Sequence, residues 1–411
     1  MFSDARVDGP LMRHTFRSLT HRNLRLFYMG QLVSLSGTWM QSLAQAWLLY
    51  RLTGSGFMLG LAGAALLALS LVLGLYGGVL ADRFSRRKLM IAAQVLAMLQ
   101  ALVLATLTLG GWVQPWHILT LAMLLGVVQA FELPARHSFV SQLVPRADLG
   151  NAIALNASLF HASRLVGPAI AGALVVLVGE GWVFAINALT FVAVLISLLA
   201  IRLPAPTAET APTPRGLHAG LSYVRAHAPI RGALAMVAAI SLLGASVAVL
   251  LPVFAVEVFA VGAGRLGALM SAIGVGALGG AFLLAGRRDI VGLERVIAAA
   301  GVATGVMIVL FAATAWFALA LVLLAAIGFC MTTTLASSNV FIQTAVPDAL
   351  RGRVMALFSI ALHGMMPLGS LAMGALSDAA GAPWAAGASG LALVAAAHYL
   401  GRPLRAAAHA P

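Results

Sequence analysis

Apolar residues fill this chain in long runs, broken by short clusters of Gly, Pro, Arg and small polar residues. A helix that crosses a bilayer needs about 20 predominantly apolar residues. Twelve stretches meet that demand, near 24–50, 56–80, 88–110, 116–135, 149–178 and 181–202, then 231–257, 265–286, 293–313, 315–342, 352–377 and 383–401. None keeps the strict apolar–polar alternation of a half-buried strand, which argues against an outer-membrane barrel. The pattern predicts an all-α membrane protein with 12 transmembrane helices.

Composition changes this picture little. Of 411 residues, 61% are hydrophobic and 9% are charged, whereas a soluble domain is about half apolar and about a quarter charged. So few charges could not clothe a water-soluble fold, and disordered and collagen-like classes fall with it. Cys330 is the one cysteine, which excludes a disulfide scaffold and reads as an inert thiol in an apolar run.

Net charge adds more. A balance of +13 could suggest nucleic acid, but the basic residues occupy alternate loops: 6–25, 83–88, 136, 146, 202–231, 287–295, 351–353 and 402–405. Arg51 and Arg265 fall on the other side. The positive-inside rule then places both termini and the basic loops in the cytoplasm, with the chain in contact with lipid and no nucleic-acid partner expected. Residues 1–23 are polar and basic, unlike the apolar core of a cleavable signal. A bacterial cytoplasmic (inner) membrane is the expected location.

Leu203 to Gly216, LPAPTAETAPTPRG, reads as a linker. It divides the chain into a cytoplasmic N-terminal segment (1–23), a first six-helix half (24–202), a linker (203–230), a second half (231–401) and a cytoplasmic tail (402–411). An offset of 202 residues aligns the stretch from Phe139 with that from Phe341 without a gap. Pro145 meets Pro347, Gly150 meets Gly352, His161 meets His363, Gly167 meets Gly369 and Gly172 meets Gly374. Shared apolar bias does not align Pro, Gly and His in one frame. Two parallel six-helix repeats are a transporter plan, with the small-molecule site between them.

Between the second and third spans stands GGVLADRFSRRK, Gly77 to Lys88. Gly78 permits close helix approach. Asp82 at the membrane edge can face another helix's N-terminus, and Arg83, Arg86 and Arg87 can meet acidic groups or lipid phosphates. This loop resembles the signature of the major facilitator superfamily. The resemblance implies that Asp82 latches the cytoplasmic side against the start of span eleven when the carrier faces outward. The second half has GGAFLLAGRRD, with Leu284 where Asp82 stands in the first.

Arg164, Gly167, Pro168 and Gly172, in RLVGPAIAG, resemble the fifth-helix motif of that superfamily's antiporters. Pro168 removes a backbone donor, and the glycines leave a smooth packing face; the family motif is thought to seal the cavity against proton leak. LTHRNLRLFYMGQLVSLSGTWMQSLAQAWLLYRLTGS, AFELPARHSFVSQLVP and NAIALNASLFHASRLVGP resemble the branch of enterobactin-type siderophore exporters and macrolide-efflux carriers.

Gln31, Ser34, Thr38, Gln41 and Gln45 step by 3, 4, 3 and 4 and so share one face of span one. Polar groups avoid lipid, so this face either lines the substrate cavity, the preferred reading in this fold, or bonds neighbouring helices. Trp39 offers a ring for a planar ligand or for packing. Arg164 near the midplane suits an anionic substrate or a structural ion pair. His161, His363 and Glu132 are the candidates for a coupled proton, each with a packing or ion-pair role as the alternative. No P-loop, HExxH or CxxC occurs, so no nucleotide, metal or other cofactor and no catalytic residue is expected.

These readings converge on a secondary carrier, not an enzyme. It would export a small amphipathic compound (siderophore, macrolide or other drug) by alternating access, driven by a proton gradient and acting as a monomer. An importer or uniporter of the same fold is the alternative, and a non-transporting membrane receptor is the alternative of another class.

Overall fold

The computed structural model describes residues 17–83, 85–202, 218–286 and 292–407, and within them every side chain except those of 75–83, 285 and 405–407. The linker expected at 203–216 lies outside the described residues, as does the basic cluster of Arg287 and Arg288. The long helices are α1 (Arg22–Thr53), α2 (Gly56–Arg83), α3 (Arg86–Leu109), α4 (Pro115–Val140), α5 (Arg146–Val178) and α6 (Glu180–Ala200). There follow α7 (Ala228–Val258), α8 (Ala263–Ala285), α9 (Leu293–Ala313), α10 (Phe317–Ala345), α11 (Asp348–Ala380) and α12 (Ala382–Ala407). No strand occurs among the described residues.

Ten of these helices are long and apolar enough to cross a membrane. Their number falls two short of the expected twelve because α1 and α12, although 32 and 26 residues long, are less apolar. In α1 the polar stripe is the cause. The second bundle starts at Ala228, where Pro229 is tolerated because the first N–H groups of a helix need no intrahelical partner. The last helix runs past 401 to Ala407, because Leu404 is buried and packs its chain against Gly232 of α7.

Glycine and proline set the helix ends. Gly54 ends α1 in the left-handed region at φ 60°, its N–H bonded to the Tyr50 carbonyl. Pro145 and Pro347 precede α5 and α11, and Gly179 and Gly381, also 202 residues apart, terminate them at φ 84° and 89°. The repeat is therefore written into backbone geometry as well as sequence. Between Ala228 and Val258, α7 is irregular, with π-helical turns at Ile240–Gly244 and Phe254–Val258 around a 3₁₀ stretch.

Helices α1–α6 pack into one bundle and α7–α12 into another, and the bundles meet mainly through α2 against α11 and α5 against α8. One end of the molecule, the terminal end, carries the starts of α1, α5, α7 and α11 and the finish of α12. The short helix His218–Ala226 lies there, with Gly220 packed against Arg353 of α11. Arg17 pairs with Asp148 of α5 at 2.5 Å, and His21 with the same carboxylate at 2.7 Å, so the chain before α1 is pinned to the same end.

Candidate transport site

Small residues close the bundles together only toward the far end. A Cβ on Gly172 of α5 would stand 3.0 Å from the Ala263 and Gly264 carbonyl oxygens of α8, and one on Gly267 would stand 2.6 Å from the Pro168 carbonyl. Ser271 of α8 donates to the Leu165 carbonyl at 2.8 Å. Across the other seam, Gly60 of α2 lies against the Ser370 backbone, and Gly374 of α11 against that of Gly56 and Phe57. Beyond Leu165 on α5, and beyond the Leu71–Gly364 contact on α2 and α11, no hydrogen bond is described between the bundles.

Arg164 is half-buried near the middle of α5, where these contacts with α8 end. Its guanidinium carbon is 5.4 Å from the centre of the Trp39 ring. Trp39 in turn meets Phe160 edge-on at 5.7 Å. Gly167 fixes this arrangement, because its missing side chain lets the Trp39 Cβ and the Ser36 carbonyl of α1 approach α5. No carboxylate among the described residues lies within ion-pairing distance of Arg164. A guanidinium over an aromatic face keeps its edge N–H groups free for an anion. The neighbouring His161 is half-buried, with Nδ1 lacking any described partner.

Within the polar stripe of α1, Gln41 takes the interhelical role that its spacing left open. It is buried, donating to Gln100 Oε1 of α3 at 3.0 Å and accepting from Asn187 Nδ2 of α6 at 2.6 Å, because α3 and α6 lie on its side of α1. Gln31 and Ser34 are buried as well, while Thr38 and Gln45 are half-buried, with Thr38 donating to the Ser34 carbonyl. Trp39, not the stripe, carries the face toward Arg164.

The remaining candidates scatter. His363 is exposed on α11, with Nδ1 3.2 Å from the Ser359 carbonyl. Glu132 accepts from Gln94 at 3.1 Å and lies 3.7 Å from Arg136, away from Arg164. Arg86 donates to the Ser138 carbonyl and Arg87 to that of Leu199, both inside the first bundle. Arg351 pairs with Asp348 one turn away. The side chains of Asp82 and Arg83, and the surroundings of Gly78, lie outside the described residues.

Sequence reasoning missed the far end. Glu257 and Asp378, near the ends of α7 and α11, both reach the first bundle. Tyr50 donates to Glu257 at 2.6 Å. Asp378 accepts from the Ser55 hydroxyl and the Gly56 N–H at 2.6 Å each, and from the Phe57 N–H at 3.2 Å. The available signal was three unsatisfied N–H groups at the start of α2 and few acidic residues anywhere to meet them.

Two six-helix bundles joined at one end are the architecture of the major facilitator fold. A D-xylose–proton symporter shares that fold with a TM-score of 0.69 at 16% identity, over 91% of this chain and 97% of that one. The chain belongs to the transmembrane secretion effector family, whose model matches residues 13–408. The staphyloferrin A transporter of Staphylococcus aureus is 23% identical over 368 residues, covering 87% of this chain and 90% of the relative. The multidrug efflux pump Tap of Mycolicibacterium fortuitum is 26% identical over 370 residues, with the same coverage. The chain is thus a multi-pass membrane transporter of the major facilitator superfamily, similar to members named as efflux proteins.

Proposed function

We propose that the protein is a proton-coupled exporter of the bacterial cytoplasmic membrane, with both termini in the cytoplasm, moving a small amphipathic compound that carries an anionic group. The observation that carries this reading is Arg164 lying over Trp39 without a carboxylate partner. A half-buried cation with no counter-charge is costly in a membrane interior, by several kcal/mol. A substrate that brings both the anion and an aromatic or apolar body would offset that cost. Siderophores with acidic groups fit this chemistry, as do drugs with a carboxylate or phenolate. The names of the relatives, one a siderophore transporter and one a drug pump, support export.

In this mechanism substrate enters between the bundles from the terminal end, taken as cytoplasmic because the arginines cluster there. The two halves, residues 24–202 and 231–401 in outline, then rock about the α2–α11 and α5–α8 seams. The glycine seams part at the far end while Asp82 meets the start of α11. A proton taken up by His161, His363 or Glu132 drives the return. A potential of 100 mV contributes about 2.3 kcal/mol per charge moved.

Everted vesicles with an acid interior, monitored by a quenched dye, test the proposal. Addition of an anionic amphipathic substrate is expected to collapse the proton gradient with the wild type and far less with Arg164→Gln or Asp82→Asn. Accumulation of the same compound by energised intact cells, with no response in vesicles, would instead establish import. That second reading has support in the fold, since a proton symporter shares it.

A further inference from the structure

We propose that Asp378 is a positioning residue of the transport cycle: it latches the far end shut by capping α2 from the opposite bundle. This rests on the alternating-access reading above. A helix ordinarily satisfies its first N–H groups with the side chain just before it. Here Ser55 does only part of that work, its Oγ accepting from the Met58 N–H at 3.2 Å. The N–H groups of Gly56 and Phe57 are taken by a carboxylate more than 320 residues away in sequence, and the Ser55 hydroxyl donates to that same carboxylate.

The neighbourhood is shaped for the reach. A Cβ at Gly56 would stand 3.0 Å from Asp378 Oδ1 and 2.9 Å from Ser377 Oγ. A larger residue there would push the carboxylate off the helix. Tyr50 and Glu257 add a second bond between the bundles beside the first. Glu257 and Asp378 also border a cavity of about 300 Å³. When the bundles part at this end, every one of these bonds breaks, because donors and acceptors lie on opposite sides of the seam. Charge-assisted bonds to a helix N-terminus are strong enough to bias two conformations. Placed beside a cavity, they can be exchanged for water and so remain reversible.

The test is a distance measurement between nitroxides on Trp112→Cys and Trp316→Cys, in a Cys330→Ser background reconstituted in lipid nanodiscs. These tryptophans are 72% and 69% exposed, on far-end loops of opposite bundles, so labels there report opening without touching the latch. Asp378→Asn and Asp378→Ala are expected to raise the ratio of long to short distances about tenfold. Gly56→Ala shifts it in the same direction by less, while leaving the carboxylate in the chain. Unchanged distances in well-folded Asp378 variants and in Gly56→Ala overturn the latch while leaving the carrier reading intact. A single distance in every variant, including Asp82→Asn, overturns both. A shift with Asp378→Asn but no substrate-dependent proton flux would keep the latch and remove the export reading.

Discussion

Arg164 and Gln41 are both polar groups in the middle of a membrane protein, yet they sit in opposite circumstances. Gln41 is bonded on both sides, to Gln100 and Asn187, and its removal strands two buried amides. Gln41→Ala is expected to lower stability by about 1–2 kcal/mol and to leave substrate preference unchanged, as thermal unfolding in detergent and transport competition would report. Arg164 has a ring beneath it and no anion beside it. Arg164→Gln is expected to raise the half-saturating concentration of an anionic substrate roughly 10- to 100-fold. Arg164→Lys should fall between, keeping the charge but losing the planar fork and the stacking. Equal losses for neutral and anionic compounds would show that Arg164 is structural. Sequence spacing placed all five stripe residues on one face of α1 but could not say which neighbours that face meets. A period of 3 and 4 is a property of one helix, whereas Gln100 and Asn187 arrive from two others.

Helix packing shows the same division between what is local and what is not. The ends of α5 and α11 were legible, because proline at the start and glycine at the finish act through their own backbone, and the 202-residue offset relates both pairs. Contacts of Asp378 with α2 were not, since nothing in the spacing of residues 55 and 378 brings them together. The glycines of α5 lie between these cases: their presence announced close packing, and the structure assigns Gly167 to α1 and Gly172 to α8. That assignment makes the seal testable. Gly172→Val must force α5 and α8 apart, because its Cβ alone would stand 3.0 Å from two backbone oxygens. Vesicles carrying it should lose an imposed proton gradient faster than wild-type vesicles when no substrate is present. Gly150→Ala, on the same helix with nothing within 4 Å of its Cβ, should leave the decay unchanged. Equal decay in both would mean that the α5–α8 seam is not what holds protons back.

Both ends of the carrier can be joined in one thermodynamic argument through α2. This helix is 28 residues long, about 40 Å at 1.5 Å per residue, and it ends in Asp82 and Arg83 while its start is capped by Asp378. If Asp82 stabilises closure of the terminal end and Asp378 closure of the far end, each acts on a different conformation of the same two-state equilibrium. Asp82→Asn then favours the form open to the terminal end, and Asp378→Asn the form open to the far end. Sites so distant contribute additively. The shift in the double variant should therefore equal the product of the two opposing single shifts to within about threefold, and so lie between them. Both wells become shallower against the same barrier, so interconversion in the double variant should be faster than in the wild type. Distance distributions at the far-end labels read the ratio, and single-molecule fluorescence between the same positions reads the rate. A double variant that merely copies one single variant would show that only that carboxylate biases the equilibrium.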